Sequence, residues 1–540
     1  MKKLSIALLV FFYSANLYAE KYVVEIKPLL SEKWYGAYTA KAFCNTPLKD
    51  LTFQPYEANE KKKDLNTDNR GNQAAPLLIS NKGRYVWSDE PFEFEFNNGS
   101  LIISSDHEKI GVVVGGKTLR DAYVAAKDKH FPASGKTPNP LMFKQPQYNM
   151  WIELNYYQTQ EKVLRYADDV LKNGFPAGVF MIDDNWSKAY GTFEFDASKF
   201  PDPKKMVDEL HAKGFKVMLW LTPFISADTK SFKDLSKEGA LLLQKGTKKP
   251  ALIKWWDGYS ACLDFTRPKA VDWLRSQLKN LQKQYGIDGF KFDAADFDFY
   301  TKGSRIFPNE DVNTPANVQT EAFGKLGAEF DFNEFRAGWK NGNLPLAQRL
   351  QDKQYSWDDL KLLVPDMVSA GLIGHPFSCP DMIGGGLLST FENIDYNKFD
   401  QELMIRSAQT QALMPMMQFS VAPWRVLDKK HLDIIRETAL LHSKMGDYIY
   451  SLAQKAARDG EPIVRHMEYA FPNEGFESSN DLYMLGDKYL VAPMVDKGNT
   501  RMVKLPKGNW VDDTGKKYNG GQTVKMDVPL NRLVYFVRQS

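Results

Sequence analysis

The chain has 540 residues, of which 43% are hydrophobic and 25% are charged, and its formal net charge is +3. This is the composition of an ordinary folded protein, and the length favours two or three domains over one. Because the net charge is small and no long basic run occurs, we do not expect nucleic acid as a partner.

The N-terminus has the features of a secretory signal. Met1-Lys-Lys is followed by an apolar run from Leu4 to Phe12 and by small residues that end at Ala19. Charged, apolar and small-residue regions in this order are typical of a signal peptide. We therefore predict that residues 1–19 are cleaved and that the protein is secreted or periplasmic. No later segment is apolar and uncharged over the length of a membrane span, so we predict no such span.

The cysteines do not form a recognisable pattern. Cys44, Cys262 and Cys379 are odd in number and irregular in spacing, which fits neither a disulfide framework nor a metal site. We expect buried thiols, although one disulfide between two of them stays open.

Residues 20–140 alternate short apolar and polar stretches, as in Phe92-Glu-Phe-Glu-Phe96, with Asn-Gly and Lys-Gly turns between them. This pattern predicts an N-terminal β-sandwich. It ends in the Pro- and Gly-containing segment from Phe131 to Pro140, which has the composition of a linker.

Residues 141–460 alternate apolar strands with amphipathic helices. The predicted strands cover 148–154, 178–183, 216–221 and 289–293, and the predicted helices cover 159–173, 204–213 and 270–285. Regular alternation over this length predicts a (β/α)8 TIM barrel in an α/β protein. An open doubly wound sheet is the alternative, but no Gly-rich phosphate loop follows a first strand.

Two further segments complete the prediction. Phe297 to Asn333 is a long, irregular insertion that either covers the pocket or mediates subunit contact, so a homo-oligomer stays open. Residues 461–540 return to short strands and tight turns, such as Asn519-Gly-Gly521, which predict a C-terminal β-sandwich.

Two aspartates follow strand-like segments of the predicted barrel. Asp293 ends Gly289-Phe-Lys-Phe-Asp, and Asp352 ends Arg349-Leu-Gln-Asp. Polar residues at the C-terminal ends of barrel strands form active sites, and two carboxylates there are what glycoside hydrolysis needs. Lys291 faces the same way as Asp293 and favours its ionised form, the state that a nucleophile requires. An ion pair with a purely structural role is an equal alternative for so short a motif.

An ordered series of segments resembles glycoside hydrolase family 31. Within that family it is most similar to the α-galactosidase branch, which includes the myogenesis-regulating glycosidase and bacterial α-galactosidases. The segments are Asp183-Asp-Asn-Trp-Ser-Lys-Ala-Tyr-Gly191, Lys254-Trp-Trp256, Leu263-Asp-Phe-Thr266, Gly286-Ile-Asp-Gly-Phe-Lys-Phe-Asp293, His375-Pro-Phe-Ser-Cys-Pro-Asp-Met-Ile-Gly-Gly385, Met414-Pro-Met-Met-Gln-Phe419 and Leu485-Gly-Asp-Lys-Tyr-Leu-Val-Ala-Pro493.

The resemblance implies roles for both aspartates, Asp293 as the nucleophile and Asp352 as the general acid/base. In a retaining glycosidase the two carboxyl groups lie about 5 to 5.5 Å apart, and the second protonates the leaving oxygen before it activates water. Asp352 must carry a proton for part of this cycle, so we expect it in a drier or more negative setting than Asp293. A helix-capping role before Tyr355 is the alternative for Asp352.

The resemblance also implies a set of substrate-binding residues. Some of these residues have a structural alternative. One of the two neighbouring aspartates after the second strand could cap the following loop, and each tryptophan could belong to the core. The histidine could be a hydrogen-bonded structural residue. The set is Asp183, Asp184, Trp220, Trp256, Lys291, Arg349, His375 and Asp381.

The sugar is predicted from departures from the family's α-glucosidase pattern. The nucleophile strand continues Ala-Ala-Asp296, and the second strand ends Asp-Asp-Asn-Trp186. Both differences favour the α-galactosidase branch. We therefore predict an exo-acting α-galactosidase whose substrate is an α-galactoside oligosaccharide or glycoconjugate. We expect no metal or organic cofactor. The alternatives are an α-glucosidase, an α-xylosidase, an α-N-acetylgalactosaminidase and a carbohydrate-binding protein without activity. The aglycone, the linkage and the choice between hydrolysis and transglycosylation stay open.

Overall fold

The computed structural model describes residues 21–39, 54–67, 73–302 and 309–539. The predicted signal peptide and Cys44 lie outside these ranges. Cys262 and Cys379 are free, buried thiols, as expected. No helix among the described residues is apolar over a length that would cross a membrane.

The N-terminal region contains two antiparallel sheets that share one core. Ile26 and Phe94 of one sheet pack in the same cluster as Trp34 and Leu78 of the other, which is the sandwich arrangement predicted from the alternating pattern. Its elements are β1 (Tyr22–Ile26), β2 (Trp34–Tyr38), β3 (Glu60–Asp64), β4 (Gln73–Ser80), β5 (Arg84–Trp87), β6 (Glu93–Asn97), β7 (Ser100–Ser105), β8 (Val112–Val114), α1 (Leu119–His130) and α2 (Leu141–Lys144).

The central region is a TIM barrel, as predicted. Its eight strands run in the order β19-β18-β16-β15-β11-β10-β9-β20, all paired in parallel, and a bridge between Met382 and Gln418 joins the two ends of the series. The strands of this region are β9 (Gln147–Asn149), β10 (Val179–Ile182), β11 (Lys216–Leu221), β12 (Phe224–Ile225), β13 (Ile253–Trp255), β14 (Gly258–Cys262), β15 (Gly289–Phe292), β16 (Phe332–Phe335), β17 (Gly338–Trp339), β18 (Gln348–Arg349), β19 (Ser378–Cys379) and β20 (Gln418–Phe419).

Helices surround these strands, and their amphipathic stretches match the sequence pattern closely. Thr159 begins the first long one, because its hydroxyl accepts from the Lys162 backbone N–H. The helices are α3 (Trp151–Leu154), α4 (Gln160–Lys172), α5 (Pro203–Ala212), α6 (Lys230–Glu238), α7 (Pro268–Tyr285), α8 (Ala316–Gly327), α9 (Trp357–Leu360), α10 (Leu363–Leu372), α11 (Ser389–Glu392), α12 (Gln401–Gln411), α13 (Pro423–Val426) and α14 (Lys429–Asp459).

Two local predictions were wrong. The strand predicted over 148–154 ends at Asn149, whose side chain accepts from the Trp151 N–H at 2.9 Å, and α3 begins at Trp151. The segment 297–333, predicted to be irregular, contains α8 and the start of β16. Glu334 made β16 hard to recognise, since a charged residue inside a short strand breaks its apolar pattern.

The N-terminal sheet supports the barrel where a helix would normally lie. Between β16 and β18 the chain forms β17, which pairs in parallel with β4. From β4 the Gln73 amide donates to the Arg336 carbonyl and, at 2.9 Å, to the Arg349 carbonyl. The N-terminal domain therefore holds the backbone at the ends of β16 and β18, two barrel strands that carry arginines toward the site.

The C-terminal region forms a second β-domain. A six-stranded sheet, in the order β21-β22-β23-β28-β25-β26, packs with the two-stranded antiparallel sheet of β24 and β27 around one core. Its elements are β21 (Val464–Arg465), α15 (Met467–Ala470), β22 (Tyr483–Leu485), β23 (Tyr489–Ala492), β24 (Thr500–Leu505), β25 (Asn509–Asp512), β26 (Lys517–Asn519), β27 (Gln522–Asp527) and β28 (Val534–Gln539).

Arg406 of α12 joins this domain to the barrel. Its side chain is 1% exposed and donates to the carbonyls of Val528 at 2.7 Å, Gly498 at 3.1 Å and Arg532 at 3.4 Å.

Arg406→Met should therefore lower the free energy of unfolding by about 3 kcal/mol, because buried carbonyls lose a charged donor. Thermal unfolding of the purified variants measures this effect. Arg165→Met is the control, since Arg165 is 61% exposed and makes a surface pair; equal melting temperatures for both variants would contradict the role of Arg406.

Candidate active site

Asp293 lies directly after β15, at the carboxyl end of the barrel, and only 7% of it is exposed. The Trp220 indole N–H donates to its Oδ2 at 2.8 Å, and the Ala294 backbone N–H donates to its Oδ1 at 2.9 Å. The Lys291 ammonium lies 3.8 Å from Oδ2. Both carboxylate oxygens are therefore fixed by donors, and Trp220 contacts the predicted nucleophile rather than serving only as core.

The surroundings of Asp293 keep it ionised. Burial alone would raise its pKa, but the charges of Lys291, Arg336 and Arg349 and the Trp220 hydrogen bond lower the pKa to about 2. A carboxylate with this pKa is charged over the whole neutral range, as nucleophilic attack requires.

Lys291 has a closer partner than the sequence suggested. Its ammonium is 2.7 Å from Asp183 Oδ2, and both side chains are almost fully buried. Asp183 Oδ1 also accepts from the Asp184 backbone N–H at 2.9 Å. Lys291 thus links the carboxylate after β10 to Asp293 after β15.

Asp352 follows β18 and pairs closely with Arg349, while the Arg336 guanidinium lies 4.0 Å away. Its side chain is 23% exposed, against 9% for Asp293. Burial raises its pKa, but the two arginines outweigh burial and the charge of Asp293, so the pKa lies below its usual value. The setting of Asp352 is not drier than that of Asp293, but it is less positive, since Asp293 faces three cationic groups whereas Asp352 faces two together with the charge of Asp293.

The helix-cap alternative for Asp352 is also wrong. Ser356 caps α9, and its hydroxyl accepts from the Asp359 N–H. Asp352 instead lies beside Gly386, where an added Cβ would come within 2.7 Å of its Oδ1.

Gly386→Ala should therefore displace the Asp352 carboxylate and lower kcat/KM on the order of tenfold to a hundredfold, because small misplacements of a catalytic group are costly. Steady-state kinetics on a glycoside with a poor leaving group measures the loss. Gly111→Ala is the matched control, since a Cβ at Gly111 meets nothing within 4 Å. Unchanged kinetics in Gly386→Ala would show that the carboxylate tolerates the shift.

Asp381 follows β19 and completes the buried network around Arg349. Its Oδ1 is 3.0 Å from the Arg349 guanidinium, and its Oδ2 accepts from the Lys353 backbone N–H at 2.8 Å. Burial and the charge of Asp352 raise its pKa to about 7. Its φ of 93° lies in a region that non-glycine residues rarely occupy, a strain of the kind that clusters at functional sites.

Asp184 is held mainly by Tyr190. The Tyr190 hydroxyl is 3.2 Å from both Asp184 oxygens and 2.5 Å from Asp257 Oδ2. Burial and the charge of Asp257 raise the pKa of Asp184 well above its usual value. The Tyr190 hydroxyl has a single proton, so it can donate to only one of these two carboxyl groups at a time. The raised pKa favours the neutral form of Asp184, whereas the sequence suggested a charged acceptor.

A polar cavity of about 250 Å³ opens beside this chain of hydrogen bonds. It is lined by Tyr156, Asn185, Ser187, Lys188, Ala189, Tyr190 and Asp257.

Trp256 stands at the rim of the site. It occupies the turn of the β13–β14 hairpin, is 36% exposed, and has the Arg336 guanidinium 5.2 Å from its ring centroid. An exposed aromatic face in this position can stack on a sugar ring.

His375 is the predicted site residue that the structure does not bring to this end of the barrel. It precedes β19, whereas Asp381 follows that strand, so the two lie toward opposite ends of it. His375 is buried, its Nε2 has no hydrogen-bond partner among the described residues, and burial lowers its pKa to about 4. It is a structural histidine, and its place in the sequence motif does not imply a place in the pocket.

Four site residues were missed by the sequence reasoning: Asp296, Arg336, Tyr190 and Asp257. Arg336 directly follows β16 and could have been found by the rule that identified Asp293, had β16 been recognised. Tyr190 and Asp257 lie in loops, where no strand marks their position. No group of three or more His, Cys, Asp or Glu that could hold a metal occurs in the described ranges.

Comparison with known proteins agrees with this architecture. The model of the glycosyl hydrolases family 31 TIM-barrel domain matches residues 140–333 and 336–452. The model of the glycosyl hydrolase family 31 C-terminal domain matches residues 460–540.

Relatives show the same relationship over most of the chain. The myogenesis-regulating glycosidase of Mus musculus is 30% identical over 419 residues, which cover 76% of this chain and 58% of that protein. An α-glucosidase of Saccharolobus solfataricus is 28% identical over 511 residues, covering 83% of this chain and 71% of that protein. The chain thus spans less than two thirds of the first of these relatives.

A solved structure shows the same fold. The dextranase of Flavobacterium johnsoniae in complex with glucose superposes with a TM-score of 0.82 at 21% identity, covering 96% of this chain and 66% of that one. With both family domains matched in order, the chain belongs to glycoside hydrolase family 31.

Proposed function

We propose that the protein is a retaining exo-α-glycosidase with Asp293 as nucleophile and Asp352 as general acid/base. The observation that carries this proposal is the buried, ionised Asp293, held by Trp220 and Lys291 at the end of a barrel strand. Asp352 is electrostatically coupled to Asp293, since the charge of Asp293 raises the pKa of Asp352 and both carboxylates interact with Arg336 and Arg349.

In the first step Asp293 attacks the anomeric carbon, and the bond from that carbon to the leaving oxygen breaks. The leaving oxygen takes the proton of Asp352, which leaves a β-linked glycosyl ester on Asp293. Water then attacks the same carbon and gives its proton to Asp352, so the released sugar has the α configuration of the substrate.

The coupling between the two carboxylates suits both steps. The charge of Asp293 raises the pKa of Asp352 and so favours the protonated acid in the free enzyme. Ester formation removes that charge, so the pKa of Asp352 falls when the residue must act as a base.

Different observations favour different sugars. The α-galactoside prediction rests on the resemblance of Gly289-Phe-Lys-Phe-Asp293 and Asp183-Asp-Asn-Trp186 to the galactosidase branch. The relatives named for a substrate or activity include α-glucosidases, α-xylosidases and a dextranase, which supports the α-glucoside and α-xyloside alternatives. A carbohydrate-binding protein without activity is less well supported, because it has no use for an ionised nucleophile coupled to a second carboxylate.

A panel of four nitrophenyl substrates distinguishes these candidate functions. The panel consists of the α-galactoside, the α-glucoside, the α-xyloside and the α-N-acetylgalactosaminide. The proposal expects turnover of at least one of them, with the galactoside preferred if the sequence resemblance is right. Preference for the glucoside or the xyloside would keep the mechanism and reject galactose. No turnover of any of the four would favour the binding protein.

Export is a separate proposal that rests on residues 1–19 alone. Intact-mass measurement of the protein purified from its native host tests it, and a mature chain that begins near Glu20 is the expected result.

A further inference from the structure

Asp296 is a buried carboxylate that the mechanism above does not use. It lies three positions after Asp293 and is 2% exposed. Neither of its oxygens has a hydrogen-bond partner in the described part of the chain. The nearest cationic group is Arg336, whose Nε lies 3.4 Å from Asp296 Oδ2.

Arg336 is shared between two carboxylates. Its Nη1 lies 4.0 Å from Asp352 Oδ2, while its Nε faces Asp296, and its side chain is 10% exposed. The ring of Trp256 covers the guanidinium. A cation held in this way acts on the general acid/base and on Asp296 at once.

This arrangement bears on a difficulty in the acid step. Asp352 must be protonated to assist the leaving group, yet Arg349 and Arg336 favour its ionised form. A further negative charge beside Arg336 would offset part of that effect.

Several charged groups surround the carboxylates of Asp296 and Asp352. Asp296 faces Arg336, and the charges of Asp293, Asp298 and Asp352 also act on it; burial raises its pKa to about 7. Asp352 faces Arg349, Arg336, Asp293 and Asp381. Asp296 therefore gains its charge within the neutral range, where the protonation of Asp352 matters most for activity.

We propose that Asp296 is a positioning residue that holds the Arg336 guanidinium and, by its negative charge, offsets part of the effect of Arg336 on the protonation of Asp352. The inference rests on the proposed glycosidase function, because it assigns Asp296 a role in the acid step of that reaction. Asp296 itself does not touch the reacting atoms in this account.

The pH dependence of kcat/KM for wild type, Asp296→Asn and the control Asp298→Asn tests the inference. In a bell-shaped profile the alkaline limb reports loss of the acid's proton in the free enzyme. Asp296→Asn should move this limb to lower pH by about one unit, because a neighbouring charge of one sign is removed. Asp298→Asn should leave the limb in place, and Asp296→Glu, which keeps the charge, should retain the wild-type limb.

A second readout separates this role from a structural one. Since only poor leaving groups need the acid's proton, the rate lost by Asp296→Asn at pH 8 should be larger for an alkyl glycoside than for a dinitrophenyl glycoside. If Asp296→Asn does not fold, Asp296→Ser, which also removes the negative charge, is used in place of that variant. A limb that stays in place, or an equal loss at every pH and for both leaving groups, would overturn the inference. Inactivity of the wild type would instead reject the proposed function.

Discussion

Asp293→Ala should lower kcat/KM on the order of 10⁵-fold, because removing a catalytic nucleophile eliminates the covalent route. Trp220 and Lys291 would keep their places, so substrate binding should survive. Initial rates with the nitrophenyl glycoside that wild type prefers measure the loss, and the thermal unfolding curve checks the fold.

Azide gives this prediction a chemical signature. With the Asp293 carboxylate gone, azide can reach the anomeric carbon from the same face and should form a β-glycosyl azide, with its configuration inverted relative to the substrate. Asp234→Ala is the matched control, because Asp234 lies on the exposed surface of α6 and forms a surface ion pair with Lys230. Residual activity above one tenth of wild type, without an azide product, would contradict the nucleophile assignment.

Asp352→Ala should produce a loss that depends on the leaving group. For an alkyl glycoside, whose oxygen must be protonated as it leaves, we expect kcat/KM to fall about 10³-fold, within the range for general acid catalysis. For a dinitrophenyl glycoside the first step needs no proton, so the ester should form rapidly and accumulate because its hydrolysis lacks a base. A burst of dinitrophenol followed by slow turnover is the expected time course.

Azide again distinguishes this variant from the previous one. It should attack the accumulated ester on Asp293 and give an α-glycosyl azide, the configuration of the substrate, while it restores turnover. An equal loss for both leaving groups, or a β-glycosyl azide, would mean that Asp352 is not the acid/base.

Sequence reasoning worked where a polar residue follows an apolar strand. Asp293 after β15 was found in this way, because the carboxyl ends of barrel strands meet at one face, whereas Asp183 after β10 was identified from the family resemblance. The same reasoning missed Arg336, since Asn333 and Glu334 inside β16 concealed the strand before it.

Other parts of the site depend on contacts that no sequence pattern records. Tyr190 and Asp257 come together only when two separate loops fold over the barrel. The second cation beside Asp352 was missed for the same reason, because Arg336 lies 16 positions before it and reaches it through space. His375 failed in the opposite way: its motif was recognised, but the motif begins before the strand and only its later part reaches the site.

The measurement that tests the central claim most directly is trapping of the covalent intermediate. Wild type is incubated with the 5-fluoro-α-glycosyl fluoride of its preferred sugar, which slows hydrolysis of the ester, and the labelled peptide is identified by mass spectrometry. The account predicts one sugar per chain, attached to the peptide that contains Asp293, and no label in Asp293→Ala. A label on another residue, or turnover to the β anomer without any label, would contradict a retaining mechanism on Asp293.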